Sequence, residues 1–181
     1  MVLRFSNLSG LAPARAGAGL LWCLLLVSCL FALPVQADPE WREVDWLELM
    51  PPEDLLLLES MPEIDHEGDG PVLLPDEIMT GRPVEDMDQT PARIPGFVVP
   101  LKVVGAEQRI VEFFLVPYFG ACIHVPPPPP NQIIHVTYEP GFTLDVLYDP
   151  YWIQGVLKVE RIENDIALAS YTLEAVVVEP Y

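Results

Sequence analysis

From Arg93 onward, apolar and β-branched residues fall into short runs separated by turn residues, which is the pattern of strands. Ile94 to Val104 is one run and Ile110 to Val116 another, and Gly105-Ala106-Glu107-Gln108 between them predicts a turn that joins the two as a hairpin. Ile133 to Tyr138, Trp152 to Val159 and Tyr171 to Glu179 bring the total to about five strands. Five strands with few helices and irregular connections predict a small barrel or sandwich. Pro95, Pro100 and Pro117 fall within this pattern and are expected at edges, bulges or strand ends, because proline donates nothing to a ladder. Gly96 and Gly155 are candidate bends at barrel corners.

Residues 38–90 have a different grammar: seventeen acidic residues against Arg42 and Arg82, repeated proline and little alternation. This reads as an acidic, partly helical N-terminal arm. Trp41 to Leu49 predicts a short helix with Trp46 and Leu49 inward, stopped by Pro51-Pro52. A second turn beginning at Pro52-Glu53-Asp54 carries Leu55 to Leu58, a run apolar enough to be expected to dock on the domain that follows.

The first residues carry Arg4 and Arg15, an uncharged run from Ala16 to Leu33, and no acidic residue before Asp38. That is the grammar of an export signal, and Val35-Gln36-Ala37 presents small residues where a signal peptidase cuts. Leu26-Val27-Ser28-Cys29 also fits a signal cut before a lipidated cysteine, which would add membrane anchoring at Cys29 without altering the fold. The expected organisation is a signal over residues 1–37, the arm over 38–90 and the β domain over 91–181, in a protein working in the periplasm. Loss of Arg4 and Arg15 leaves seven basic residues against twenty-seven acidic ones. Such a chain repels phosphate backbones, so nucleic acid is excluded as a partner.

Cleavage also removes Cys23 and Cys29, which leaves Cys122 as the lone thiol and forbids an internal disulfide. Around it runs an unusual segment, Phe113-Phe114-Leu115-Val116-Pro117-Tyr118-Phe119-Gly120-Ala121-Cys122-Ile123-His124-Val125, then Pro126 to Pro130 and Asn131-Gln132. Together with Ile94-Pro95-Gly96-Phe97-Val98-Val99-Pro100-Leu101, Trp152 to Glu160 and Tyr171 to Tyr181, this segment resembles the bacterial domain-of-unknown-function family DUF3299. The likeness covers nearly all of residues 93–181, and in the arm it extends loosely to Trp46 to Pro51. It implies a periplasmic protein with a barrel like the oligonucleotide/oligosaccharide-binding (OB) fold. It also implies a setting beside an ABC transporter of the lipoprotein-releasing or macrolide-export type and beside zinc-responsive periplasmic proteins.

If Cys122 and His124 share a strand, their side chains share a face. A thiolate and an imidazole there make two zinc ligands, with His135 on a neighbouring strand as a third. The alternatives are that Cys122 packs as a small apolar side chain, or that it serves as the nucleophile of a cysteine hydrolase or redox enzyme. Catalysis needs a base within hydrogen-bond reach, and neighbouring same-face strand residues stand about 6–7 Å apart. The expected protein is therefore non-enzymatic. Pro126, Pro127, Pro128, Pro129 and Pro130 predict a polyproline II rod about 15 Å long. It is either a rigid brace between Cys122-Ile123-His124 and Asn131-Gln132, or a docking surface completed by Tyr118 and Phe119. Asp65-His66-Glu67-Gly68-Asp69-Gly70 with Asp76 approximates a calcium loop but lacks its bidentate Glu and entering helix, so a solvated linker is the expectation. The functional expectation is an accessory or binding protein that supports zinc homeostasis or an ABC-transporter system of the envelope. Its alternative is a metal-free module that engages a transporter component through the proline segment and aromatics.

Overall fold

Alternation between buried and exposed positions carries through the strands. On Thr90–Val104 (β2) Ala92, Ile94 and Val98 face the core, and on Arg109–Val116 (β3) Ile110, Phe113 and Leu115 do so. The computed structural model describes residues 40–61, 74–121, 127–144, 146 and 148–181. Ile134–Phe142 (β4), Tyr151–Glu163 (β5) and Leu168–Pro180 (β6) complete a closed five-stranded barrel in the order β2-β3-β4-β6-β5, with β5 returning to β2. All neighbours are antiparallel except β4 and β6. This is the OB-like order, and the return of β5 to β2 covers most of the edge that a flat sheet would expose.

The strands exceed their sequence-predicted bounds by a few residues, and the hairpin turn falls at residues 105–108 as expected. Pro100 adjoins a register shift and Pro117 follows the end of β3. Pro95 lies inside a paired stretch, opposite Trp152, yet its carbonyl accepts the Trp46 Nε1–H at 2.7 Å. A residue's N and C=O point to the same strand edge in an antiparallel ladder. The missing N–H of Pro95 therefore faces away from β5 and no ladder bond is lost. Gly155 sits at a register shift where a Cβ would meet the Glu174 carbonyl oxygen at 2.3 Å, which forbids any side chain there.

The arm is more than an appendage, because Pro39–Tyr181 form one compact unit. Arg42–Glu43 (β1) pairs in parallel with β2, on the edge opposite β5. Val44, Leu49 and Met87 join the barrel core beside Ile94, Phe113, Ile134 and Tyr171. Trp46–Leu49 forms a 3-10 helix whose Asp45 and Glu48 complete a reciprocal cap, with Leu49 fully buried and Trp46 half-buried. Pro51 and Pro52 stop that helix and open the next, Pro52–Ser60 (α1).

The leucine run corrects an expectation. On α1 the buried residue is Asp54, Leu56 is 65 % exposed, and Leu55, Leu57 and Leu58 are half-buried. The helix is turned by charge, because Asp54 pairs with Arg82 and Glu53 reaches the same guanidinium at 3.3 Å. Asp76–Met79 (α2) buries Ile78. The calcium-like pattern, His66, the export signal and Cys29 lie outside the described residues, apart from Asp76.

Candidate ligand groove on the barrel wall

The barrel wall opens where β4 leaves β6. The two strands pair only from Ile134 to Thr137 against Tyr171 to Glu174. Beyond that point β4 bends toward β3: between the pairs Glu112–Thr137 and Ile110–Phe142, residues 138–141 stand opposite Val111 alone. Local chemistry holds this excursion. Gly141 adopts φ +63, a conformation glycine takes without strain, and Arg109 donates from Nε and Nη2 to the Pro140 carbonyl at 3.0 and 2.7 Å and from Nη2 to the Gly141 carbonyl at 2.6 Å. Meanwhile β6 continues to Pro180 paired, among the described residues, only with β5. The result is a groove of about 900 Å3, with Tyr138 and Glu139 on one wall, Ala175 and Val176 on the other, and Val111 and Glu112 behind.

Register aligns the charged side chains along this groove. Lys102, Glu112, Thr137, Glu174 and Val156 are consecutive cross-strand partners over all five strands. Directly opposed residues share a face, and Val136, Leu173 and Leu157 in the adjacent row are core residues, so this row faces out. Glu174 accepts from Lys158 Nζ at 2.6 Å, and that hydrogen bond raises the lysine pKa above its ordinary value, with nearby acidic charges adding and desolvation opposing. Among the described residues Glu139 makes no ion pair, so the groove holds three carboxylates against Lys102. Sequence reasoning missed all of them. Single charges at alternate strand positions look like an ordinary solvated face, and only register and the divergence of β4 line them up.

His135 is placed by the same ladder. It is 8 % exposed, faces out between Phe114 and Thr172, and lies with Nε2 2.9 Å from Glu112 Oε1 and its ring edge-on to Phe114 at 5.9 Å. The tautomer that donates Nε2–H to Glu112 leaves the Nδ1 lone pair for another partner. Cys122, His124 and Pro126 lie outside the described residues. Among the described residues no group of three or more His, Cys, Asp and Glu side chains is arranged to hold a metal ion.

The proposed partner surface divides. Tyr118 and Phe119 are exposed, and Phe119 packs edge-on to Tyr148 at 4.7 Å and to Phe97 at 6.2 Å. Pro127 is exposed, but Pro128, Pro129, Pro130, Asn131 and Gln132 are buried and offer no surface. Pro129 keeps polyproline II angles, whereas Pro130 already opens a 3-10 turn through Gln132. This stretch is clamped by the arm. Asn131 Nδ2 donates to the Arg82 carbonyl at 2.8 Å, Gln132 Nε2 donates to the Trp46 carbonyl at 2.8 Å, and a Cβ on Gly81 would stand 2.3 Å from Pro130 Cδ.

Comparison with known proteins agrees with this architecture. No curated protein matches the chain. The crystal structure of a DUF3299 family protein from Pseudomonas aeruginosa PAO1 is similar, with a TM-score of 0.61 and 34 % identity over 79 % of this chain and 97 % of that one. The family model described as "Protein of unknown function (DUF3299)" matches residues 46–180, arm and barrel together, and the chain belongs to that family.

Proposed function

We propose that the chain is a non-enzymatic binding protein of the cell envelope, exported by residues 1–37, whose working surface is the groove between β4 and β6. The observation that supports this is the departure of β4 from β6 at Thr137, which exposes strand edge, apolar wall and three carboxylates together. A groove formed by a pinned backbone excursion is preorganised, and preorganisation lowers the entropy lost on binding. Site-specific photo-crosslinking in intact cells tests the reading. A photoreactive residue in place of Val176 is expected to capture an envelope component, whereas one in place of exposed Gln89 is not. Equal capture from both positions, or none from Val176, removes the groove as the working surface. Fractionation tests the compartment: the expected product is periplasmic and begins at Asp38, and a cytoplasmic product retaining Arg4 overturns export.

A second reading, support of zinc homeostasis or of an ABC-transporter system, draws on His135. A metal-binding imidazole usually gives its other N–H to a carboxylate, and Glu112 is in position to receive it. Cys122 and His124 are the remaining proposed ligands, as thiolate and imidazole donors suited to zinc. Calorimetric titration with zinc decides: affinity tighter than tens of micromolar that falls in both Cys122→Ala and His135→Ala is expected, and binding unchanged by either substitution ends the metal reading.

A further inference from the structure

The opening in the barrel wall has the chemistry of a strand vacancy. From Ala175 to Pro180, β6 is paired with β5 on one side and has no strand on the other among the described residues. In an extended strand alternate residues turn their N–H and C=O groups to opposite edges, so half of these groups face the opening. Six residues of strand span about 20 Å at 3.3 Å each. An unpaired edge of this kind is a template for another extended chain.

The side chains around the opening select what enters. A strand laid beside β6 alternates its side chains between the barrel interior and the outer face. Inward positions meet Tyr138 and Ala175, both packed against the core. Outward positions meet Glu139, Glu174 and Glu112, with Lys102 as the single cation in the groove. Glu174 and Glu112 already hold Lys158 and His135, so Glu139 exerts the strongest unbalanced pull. We propose that the opening between β4 and β6 takes up an extended peptide segment of an envelope partner by strand addition to residues 175–180, with apolar and basic side chains alternating along the segment. The proposal rests on the groove being the working surface and adds the occupant and its mode of binding. A second copy of this chain is disfavoured as occupant, because a chain of formal charge −18 would bring its own acidic edge to an acidic groove.

Val176 is the handle for a test. It is the extra residue where the β5–β6 register shifts between Gln154–Val177 and Gly155–Ala175, so it has no β5 partner. Proline at this position removes one backbone donor from the 175–180 stretch and replaces a residue that has no β5 partner. The probe is a fluorescent octapeptide of alternating Lys and Val, titrated into the purified protein alongside one of alternating Glu and Val. The Lys-Val peptide is expected to bind at least about tenfold tighter than the Glu-Val peptide, and Glu139→Lys is expected to weaken it by at least about tenfold. Reversal of the exposed but remote Glu163, Glu163→Lys, should leave affinity within about twofold. Val176→Pro should abolish binding, and hydrogen exchange of amides 175–179 should slow when the peptide is added to the wild type. Equal binding of the two peptides, equal losses from the two charge reversals, or unchanged exchange over 175–179 overturns the proposal. Protection that rises with protein concentration alone overturns it in favour of a second copy. If the crosslink from Val176 persists while the peptide results fail, the groove remains the working surface and only the basic strand is lost as its occupant.

Discussion

The Tyr171 hydroxyl donates to the Leu49 carbonyl at 3.0 Å across 122 residues of chain, and the same oxygen accepts from the Val84 N–H at 2.6 Å. One phenol on β6 thus holds both ends of the acidic arm against the barrel. Both backbone groups would otherwise be left without these partners in largely buried surroundings.

Tyr171→Phe should therefore lower the free energy of unfolding by about 1–3 kcal/mol, the range for a buried hydrogen-bonding group left unpaired, read from urea denaturation. The pH dependence supplies a second readout. Burial pushes the Tyr171 hydroxyl up to about 12 from its ordinary value of 10.0. A pKa raised on folding means that the neutral phenol favours the folded state. Its contribution is complete below pH 10 and is lost as pH climbs from about 10 towards 12. The wild type should lose more stability than Tyr171→Phe across that window, and parallel curves would contradict this account.

Gly81 is the joint between arm and proline segment. Its φ is +60, a Cβ would stand 2.3 Å from Pro130 Cδ and 2.6 Å from the Pro130 nitrogen, and its carbonyl accepts from Ser170 Oγ at 2.6 Å. Gly81→Ala meets both left-handed backbone strain and a contact with a ring that cannot swing away. A loss of at least about 2 kcal/mol is expected, visible as a lower urea midpoint, and an unchanged midpoint would show that this joint is not fixed in solution.

The Asp54–Arg82 pair is asymmetric, and so are its expected mutants. Asp54 is 1 % exposed, its Oδ2 has no hydrogen-bond partner, and the Arg82 side chain is half in solvent. Truncating Arg82 strands a buried carboxylate, whereas truncating Asp54 leaves a cation that water can solvate. Thermal melting should show a larger fall in Tm for Arg82→Ala than for Asp54→Leu. The reverse order would mean that the carboxylate, and not its cation, anchors α1.

The leucine run of α1 marks where sequence reasoning fails. Four consecutive leucines invite burial, but a helix presents its residues around the whole cylinder, so a contiguous run cannot all face one partner. The Asp54–Arg82 pair then decides which side turns in. The proline run is a related case. Its stiffness is legible in the sequence, but whether it is surface or brace depends on Gly81, Arg82 and Trp46, residues 49 to 86 positions away that no local pattern connects to it.

By itself the sequence determined the β character, the hairpin around residues 105–108, the acidic arm and the family, because strand periodicity, turn residues and motif spacing are local properties of the chain. Only the tertiary structure decided that β4 and β6 part after Thr137, that Lys102, Glu112, Thr137 and Glu174 form one line, and that Tyr171 grips Leu49 and Val84. Those facts belong to strand register and closure, which set residues tens of positions apart side by side and leave no periodic trace in any one segment.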